Sequence, residues 1–159
     1  MTSNPRLWVY KNRSYADVHQ TAYGNWEGFF DEWESERKAV SWGGTWATAL
    51  ERQKRVFRYE IMKGDLILCW QTDRAGAVGV ARVARNEERH DGESELWLEG
   101  VERFPRLIRL HQMKKTTYPK LQQVSALKRG PMHTIYETTS QEAYWILDAA
   151  GSSQKHLFE

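Results

Sequence analysis

Apolar and polar positions change period along the first third of the chain. Leu7-Trp8-Val9-Tyr10 is a continuous β-prone run and reads as an opening strand, with Lys11 to Tyr15 as its exit. From Asn25 the period becomes helical. Trp26, Phe29, Phe30 and Trp33 recur at i, i+3, i+4 and i+7, which places four aromatics on one face of a helix that Asn25 caps. Asp31, Glu32, Glu34, Glu36 and Arg37 then form the opposite face, read as solvated. The segment Trp42-Gly43-Gly44-Thr45-Trp46 follows. Thr45 is placed to cap a second helix running to about Tyr59, with Trp46, Leu50 and Phe57 inward and Arg52, Lys54, Arg55 and Arg58 giving it a basic surface.

Lys63-Gly64-Asp65 is a turn signal ahead of Leu66 to Trp70, a short apolar run that reads as a buried strand. Thr72 to Gly76 turns the chain into a second strand, Ala77 to Ala84, so the pair predicts a hairpin. Gly79 in its middle predicts a bulge or a closely approaching neighbour. Asn86 to Ser94 is charged and turn-rich. Glu95 to Val101 and Leu107 to Leu110 read as further strands. Tyr118-Pro119 opens a short helix carrying Leu121, Val124 and Leu127, which Gly130-Pro131 ends, and His133 to Glu137 returns as a strand. Thr139-Ser140-Gln141-Glu142 is a capping box ahead of Ala143, Ile146 and Leu147. Gly151 stops that helix, and residues 152–159 read as a frayed tail. The sum is an α+β domain over residues 1–151, with a curved five- to six-stranded sheet or partly closed barrel surrounded by helices.

Totals narrow the function more than they change the fold. A chain of 159 residues with 40% hydrophobic and 28% charged content reads as one globular domain that needs no staple. A net charge of +2 removes any whole-molecule argument for polyanion binding, so local patches must carry it. The single Cys69 fits a reducing compartment, and the N-terminus has no signal pattern, so a cytoplasmic protein is expected. The five histidines make no zinc-ligand spacing, and phosphate-loop, dinucleotide, nucleophile-elbow and deaminase motifs are missing. No metal, cofactor or catalytic group is therefore assigned.

What remains is an aromatic slot beside basic surface. A flipped base has two π-faces and a polar edge, so its receptor wants aromatic walls and a few in-plane donors and acceptors. Trp42 and Trp70 are candidate walls. Gly43 and Gly44 let backbone N–H groups approach, and Ser41, Gln71 and Asn12 are the nearby polar side chains. Arg52, Lys54, Arg55 and Arg58 are candidate phosphate contacts, with Lys114, Lys115, Lys128 and Arg129 as a second patch.

In this order the segments resemble the EVE domain, a PUA-like fold related to the YTH readers of methylated RNA. The matching stretches are Leu7 to Lys11, Ser41-Trp42-Gly43, Met62-Lys63-Gly64-Asp65 running into Leu66 to Gln71, and Gly76 to Val83. Tyr118 to Leu121 and Trp145 to Leu147 are compatible with it. The M-K-x-G-D strand entry, here compacted to M-K-G-D, and the following (I/V)-x-G-(I/V)-A-x-V strand, here ending Gly79-Val80-Ala81-Arg82-Val83, are its most specific parts. The resemblance implies a non-catalytic module holding a modified base in an aromatic pocket. Trp42 would then be a principal wall, Ser41 and Gly43 would lie near the base edge, Lys11 and Asn12 would make edge contacts, and Trp70 with Gln71 would form the strand end. The family's W-x-G-V-R-N-Y segment is here Trp42-Gly43-Gly44-Thr45-Trp46, which leaves Trp46 as either a further wall or core.

The reading reached is a reader of a methylated or hydroxymethylated base, in DNA ahead of RNA, with a nuclease or another effector as an associated protein. An RNA-directed PUA-like module acting with a partner enzyme stays open, as does a nucleoside-binding protein or enzyme.

Overall fold

A computed structural model of the chain describes residues 5–12, 25–45, 50–113, 121, 124–128 and 135–159. The opening run is strand β1 (Leu7–Asn12), and the aromatic helix is α1 (Trp26–Glu36). β2 (Val40–Gly44), α2 (Glu51–Arg55) and β3 (Leu66–Gln71) follow, with α2 continuing into a π-helical turn, Val56–Glu60. Then come β4 (Gly76–Glu88), β5 (Ser94–Arg109), α3 (Leu110–Met113), α4 (Ser125–Lys128), β6 (Ile135–Glu137) and α5 (Ser140–Ala149). The strands form one mixed sheet in the order β2-β5-β4-β3-β1-β6. β1 and β3 run parallel, and the other neighbours are antiparallel.

Two-residue alternation divides the core. On β1, Trp8 and Tyr10 face one side and Leu7 and Val9 the other; on β3, Ile67 and Cys69 join the first set while Leu66, Leu68 and Trp70 join the second. α1 and the π turn cover the first side with Trp26, Phe29, Phe30 and Phe57. α3, α4 and α5 cover the second with Met113, Ala126, Leu127, Ala143, Ile146 and Leu147.

Local chemistry sets the elements. Asn25 caps α1, its side chain accepting from Gly28 N at 2.7 Å, and Thr139 and Glu142 form the expected reciprocal box on α5. Asp65 of the M-K-G-D entry accepts from Trp8 Nε1 and Met62 N at 3.0 Å each and from Arg6 N at 3.2 Å. The strand entry is thus specific because one buried carboxylate gathers three donors from two segments. Gly79 sits where β4 slips register against both neighbours. A Cβ there would come within 2.7 Å of the Phe30 ring and 2.4 Å of Glu102 O. Both anticipated reasons for this glycine therefore hold. Repeated register shifts along β4 and β5 bend the sheet into a curled half-barrel.

Four local expectations change. Glu87 and Glu88, read as turn, still pair in β4, because an exposed ladder asks only for backbone donors and acceptors. The two strands expected at 95–101 and 107–110 are one long β5. Thr45 does not cap α2. Leu50 holds the N-cap position, and the Thr45 hydroxyl instead bonds Glu93 and accepts from Ser94 N at 2.9 Å. The end of the chain is a 3-10 turn, Ser153–Phe158, held to α5 by Lys155 Nζ and Asp148 Oδ1 at 2.7 Å.

The polar face of α1 is also less solvated than its pattern predicts. Arg103 of β5 reaches Glu27, Asp31 and Glu34 at 2.6, 2.9 and 3.1 Å, a stripe at i, i+4 and i+7. Burial works against its charge, but the three carboxylates outweigh burial and hold the guanidinium above its ordinary pKa. No described helix is long and apolar enough to cross a membrane.

Candidate nucleic-acid interface

Tyr10, Trp26, Phe29 and Trp42 form a buried aromatic cluster where the ends of β1, β2 and β3 meet the start of α1. Tyr10, two residues before Asn12, stands edge-on to Trp26 at 5.2 Å. Trp26 lies against Trp42 at 5.2 Å with 32° between the ring planes, and Phe29 meets Trp42 edge-on at 5.4 Å. Trp26 Nε1 donates to Tyr10 O at 3.2 Å, which fixes α1 to β1. Tyr10 Oη donates to Trp42 O at 3.5 Å and crosses directly over Gly43. A Cβ at Gly43 would fall 1.7 Å from that hydroxyl, and its φ of +84° is a left-handed backbone; both demands select glycine.

Gln71 ties the strand ends to the helix. Its Oε1 accepts from Trp26 N at 3.0 Å, and its Nε2 donates to Asn12 O at 3.4 Å. Asn12 contributes something different. Its Nδ2 is buried and has no hydrogen-bond partner among the described residues. A buried amide donor without a partner is costly. The adjoining segments 13–24 and 46–49, Trp46 among them, lie outside the described residues.

The eight pocket candidates do not stay together. Trp42, Gly43, Asn12 and Gln71 share the aromatic side. Trp70 lies on the other side of the sheet in the aliphatic core, so Trp42 and Trp70 are not two walls of one cage. The reason is strand alternation: Gln71 faces α1, and its neighbour Trp70 must face away. Lys11 follows the same rule and lies over the Tyr136 ring at 6.0 Å, on the Trp70 side. Ser41 alternates with Trp42 and bonds Glu95 on the far face, opposite Trp97. Trp97 itself is half-buried beneath the Arg85 guanidinium at 4.2 Å, and its neighbours Leu96 and Leu98 are the ones on the aromatic side. Trp42 is only 2% exposed, so its ring is packed in the aromatic core and does not form an open wall.

The basic helix lies on the same side. Gln53 Oε1 accepts from Ile135 N at 2.8 Å and pins α2 beside β6, while Phe57 packs against Tyr10 at 5.6 Å. Lys54, Arg55 and Arg58 border a groove of about 310 Å³ together with Glu51, Tyr59 and Glu93. Glu93 is the residue that holds Thr45, so this groove abuts the end of β2. Arg52 instead opens on a second groove of about 340 Å³ toward Trp8, Tyr136 and Glu137, and Arg55 borders both. Arg52 and Arg55 have no ion-pair partner among the described residues, which leaves their guanidinium forks available for phosphate. Of the second basic patch, Lys114, Lys115, Arg129 and the side chain of Lys128 lie outside the described residues. No cluster of metal-ligating side chains occurs among the described residues.

Sequence reasoning treated Tyr10 and Trp26 as strand and core. Both pack around Trp42, and the spacing Tyr10-x-Asn12 is the sequence signal for Tyr10, because residues two apart on a strand share a side. Glu93 carried no signal of its own; its role depends on the β5 start meeting Thr45.

No protein-family model matches the sequence, and no curated protein matches it. Solved structures do match. Human THYN1 protein in complex with 5-methylcytosine containing DNA is 13% identical, with a TM-score of 0.66 over 93% of this chain and 99% of that one. The DUF55 domain of human thymocyte nuclear protein 1 is 14% identical, with a TM-score of 0.59 over 90% and 97%. A hypothetical protein from Leishmania major is 14% identical, with a TM-score of 0.61 over 92% and 95%. The chain therefore has the EVE-type, PUA-like α+β fold that its sequence resembles.

Proposed function

We propose that this chain is a non-catalytic reader of a modified base in DNA. One observation carries the reading: the whole fold is shared with human THYN1, a protein seen in complex with 5-methylcytosine containing DNA. The side-chain arrangement supports it. The base enters where the unused Asn12 amide, the Gln71 bridge and the Gly43 backbone converge, above a floor of Trp42 and Trp26. Asn12 Nδ2 donates to an edge acceptor of the base. Arg55, Lys54 and Arg58 hold phosphates beside it, and Arg52 extends that contact around the helix. The floor supplies contact to an added methyl, whose burial is worth about 0.8 kcal/mol, or roughly fourfold in affinity.

The test is anisotropy titration of labelled duplexes that differ at one base: cytosine, 5-methylcytosine, 5-hydroxymethylcytosine, adenine and N6-methyladenine, with an RNA counterpart of each. One modified DNA base binds at least about fourfold tighter than its plain parent. Asn12→Ala abolishes that ratio, while Arg55→Ala weakens modified and plain duplexes alike. Equal binding across the whole panel overturns the reading. A preference confined to the RNA series transfers it to RNA.

A further inference from the structure

Tyr59 is the most exposed large hydrophobic residue among the described residues, at 71%, and it stands on the π-helical turn that follows the basic helix. Its ring makes no ring contact and its hydroxyl no hydrogen bond among the described residues. An exposed aromatic alone needs no explanation, but this one has specific surroundings. It stands between two grooves and borders both. On one side are Lys54, Arg55 and Arg58, in the groove of about 310 Å³. On the other is a groove of about 280 Å³, lined by Asn86, Glu87, Glu88 and Ser94, with Arg58 bordering both grooves and donating to Gly92 O at 2.7 Å. The charges of the two differ. The acids of the first are engaged: Glu51 lies 3.6 Å from Lys54, and Glu93 is bonded to Thr45. The second carries Glu87, paired with Arg85 at 3.3 Å, Glu88, which has no ion pair among the described residues, and a buried Ser94 hydroxyl with no partner among the described residues. A nucleotide has the same polarity: a phosphate that seeks guanidinium, a base with a π-face that seeks an aromatic ring, and a base edge whose amine seeks a carboxylate. The local helix geometry favours the arrangement. Phe57 is buried in the aromatic core while Tyr59, two residues on, projects outward, and π turns recur where a helix re-aims a side chain at a functional site.

We propose that Tyr59 is a stacking platform for a second, unpaired nucleobase on the strand that carries the modified one. That base's phosphate lies on Arg55 and Arg58, and its edge faces Glu87, Glu88 and Ser94. This rests on the reading that the chain binds DNA, and it makes single-stranded or locally opened DNA the favoured form, because a paired base presents no free face to Tyr59.

The test combines a ring substitution with removal of bases. Short single-stranded DNA carrying one 5-methylcytosine, and its plain-cytosine twin, are titrated against the wild-type chain, Tyr59→Ala and Tyr59→Phe. In a second series each nucleotide in turn is made abasic. Tyr59→Ala lowers affinity roughly 5- to 150-fold on both oligonucleotides, the span of one stacked base, and Tyr59→Phe restores most of it. One abasic position other than the modified base costs the wild-type chain the same factor and costs Tyr59→Ala nothing more. The ratio of modified to plain binding stays unchanged in Tyr59→Ala, since that ratio reads the slot. If Tyr59→Ala binds everything within about twofold of wild type, or Tyr59→Phe loses as much as Tyr59→Ala, the platform is overturned while the slot reading stands. If binding depends on Tyr59 but shows no preference for the modified base, the slot reading falls and the platform stands. If no oligonucleotide binds, both fall.

Discussion

The two sides of the sheet hold their helices by different means. The side facing α5 is packed mainly with aliphatic residues such as Leu7, Val9, Leu66, Leu68, Ile146 and Leu147, with Trp70 and Phe104 among them, and is held by shape and area. The side facing α1 is packed with Trp8, Tyr10, Trp26, Phe29, Phe30, Trp42 and Phe57, and polar threads run through it: Asp65 to the Trp8 indole, Gln71 to Trp26 N, and the Trp26 indole to Tyr10 O. An aliphatic layer needs only volume. Aromatic rings joined by directional bonds keep set angles, and a recognition slot needs set angles. The aliphatic side therefore stabilises the fold, and the aromatic side both stabilises it and carries the candidate interface.

The sharpest way to break this division is to damage each side equally. Leu68→Ala and Trp42→Ala each remove a buried side chain, and each costs about 3–5 kcal/mol in urea denaturation. Leu68→Ala leaves the ratio of modified to plain DNA binding at its wild-type value where folded protein is compared. Trp42→Ala removes the ratio altogether. If both variants change selectivity by the same factor, the two sides are not functionally distinct. Next in size is Asp65→Ala. It strands the Trp8 indole N–H and two backbone donors, Met62 N and Arg6 N, at a cost of about 3 kcal/mol. Asp65→Asn keeps one acceptor oxygen and loses about half as much. The same denaturation series measures both, and equal losses for the two variants place the stabilisation in the charge and not in the acceptor geometry.

These residues also show how much the sequence discloses. The cap at Asn25, the box at Thr139 and the crowding at Gly79 are each legible, because each satisfies a need within a few residues or at one strand position; the M-K-G-D entry is legible as a turn, while Trp8 and Arg6, which Asp65 also holds, come from a distant segment. The slot is legible only in outline. Trp42, Gly43, Asn12 and Gln71 share one side of the sheet, but Trp70, Ser41 and Lys11 sit beside them in sequence and across the sheet in space. Adjacency along a strand means opposite faces, so proximity in sequence was the wrong measure, and spacing by two was the right one. Thr45 fails as a cap for another reason: Ser94 and Glu93 arrive from a distant hairpin and take its hydroxyl. The π turn that displays Tyr59 follows no local pattern. Asn86 fixes its end by donating to Phe57 O at 2.6 Å and Ile61 O at 3.0 Å, a tertiary contact that local pattern does not encode.

Gly43→Ala probes the closest approach on the aromatic side. It meets Tyr10 Oη and a positive φ together, and costs about 2–3 kcal/mol. Pairing it with Tyr10→Phe removes the closest contact, the hydroxyl, and leaves the backbone share of about 1–2 kcal/mol together with the lesser clash of Cζ at 2.9 Å. A double-mutant cycle by urea denaturation separates the two. If the cycle shows no coupling, the ring has moved aside and the slot is pliable.

The smallest effect tests how dry that side is. Cys69 is fully buried on it, and burial pushes its thiol well above the ordinary range, against a weaker opposing pull from the backbone hydrogen bond with Ala81. In the unfolded chain the thiol ionises above about pH 8.5, while in the folded chain it keeps its proton. Unfolding then releases a proton, so stability falls as pH rises past that point, by about 1.4 kcal/mol per pH unit, and below it the thiol adds no pH dependence. Cys69→Ala lacks this group and shares every other titration. The stability difference between wild type and Cys69→Ala, measured by urea denaturation at a series of pH values, is therefore flat below about pH 8 and shifts against the wild type above about pH 9. A difference that stays flat throughout means that the thiol ionises equally in both states, and that water reaches the layer beneath the slot.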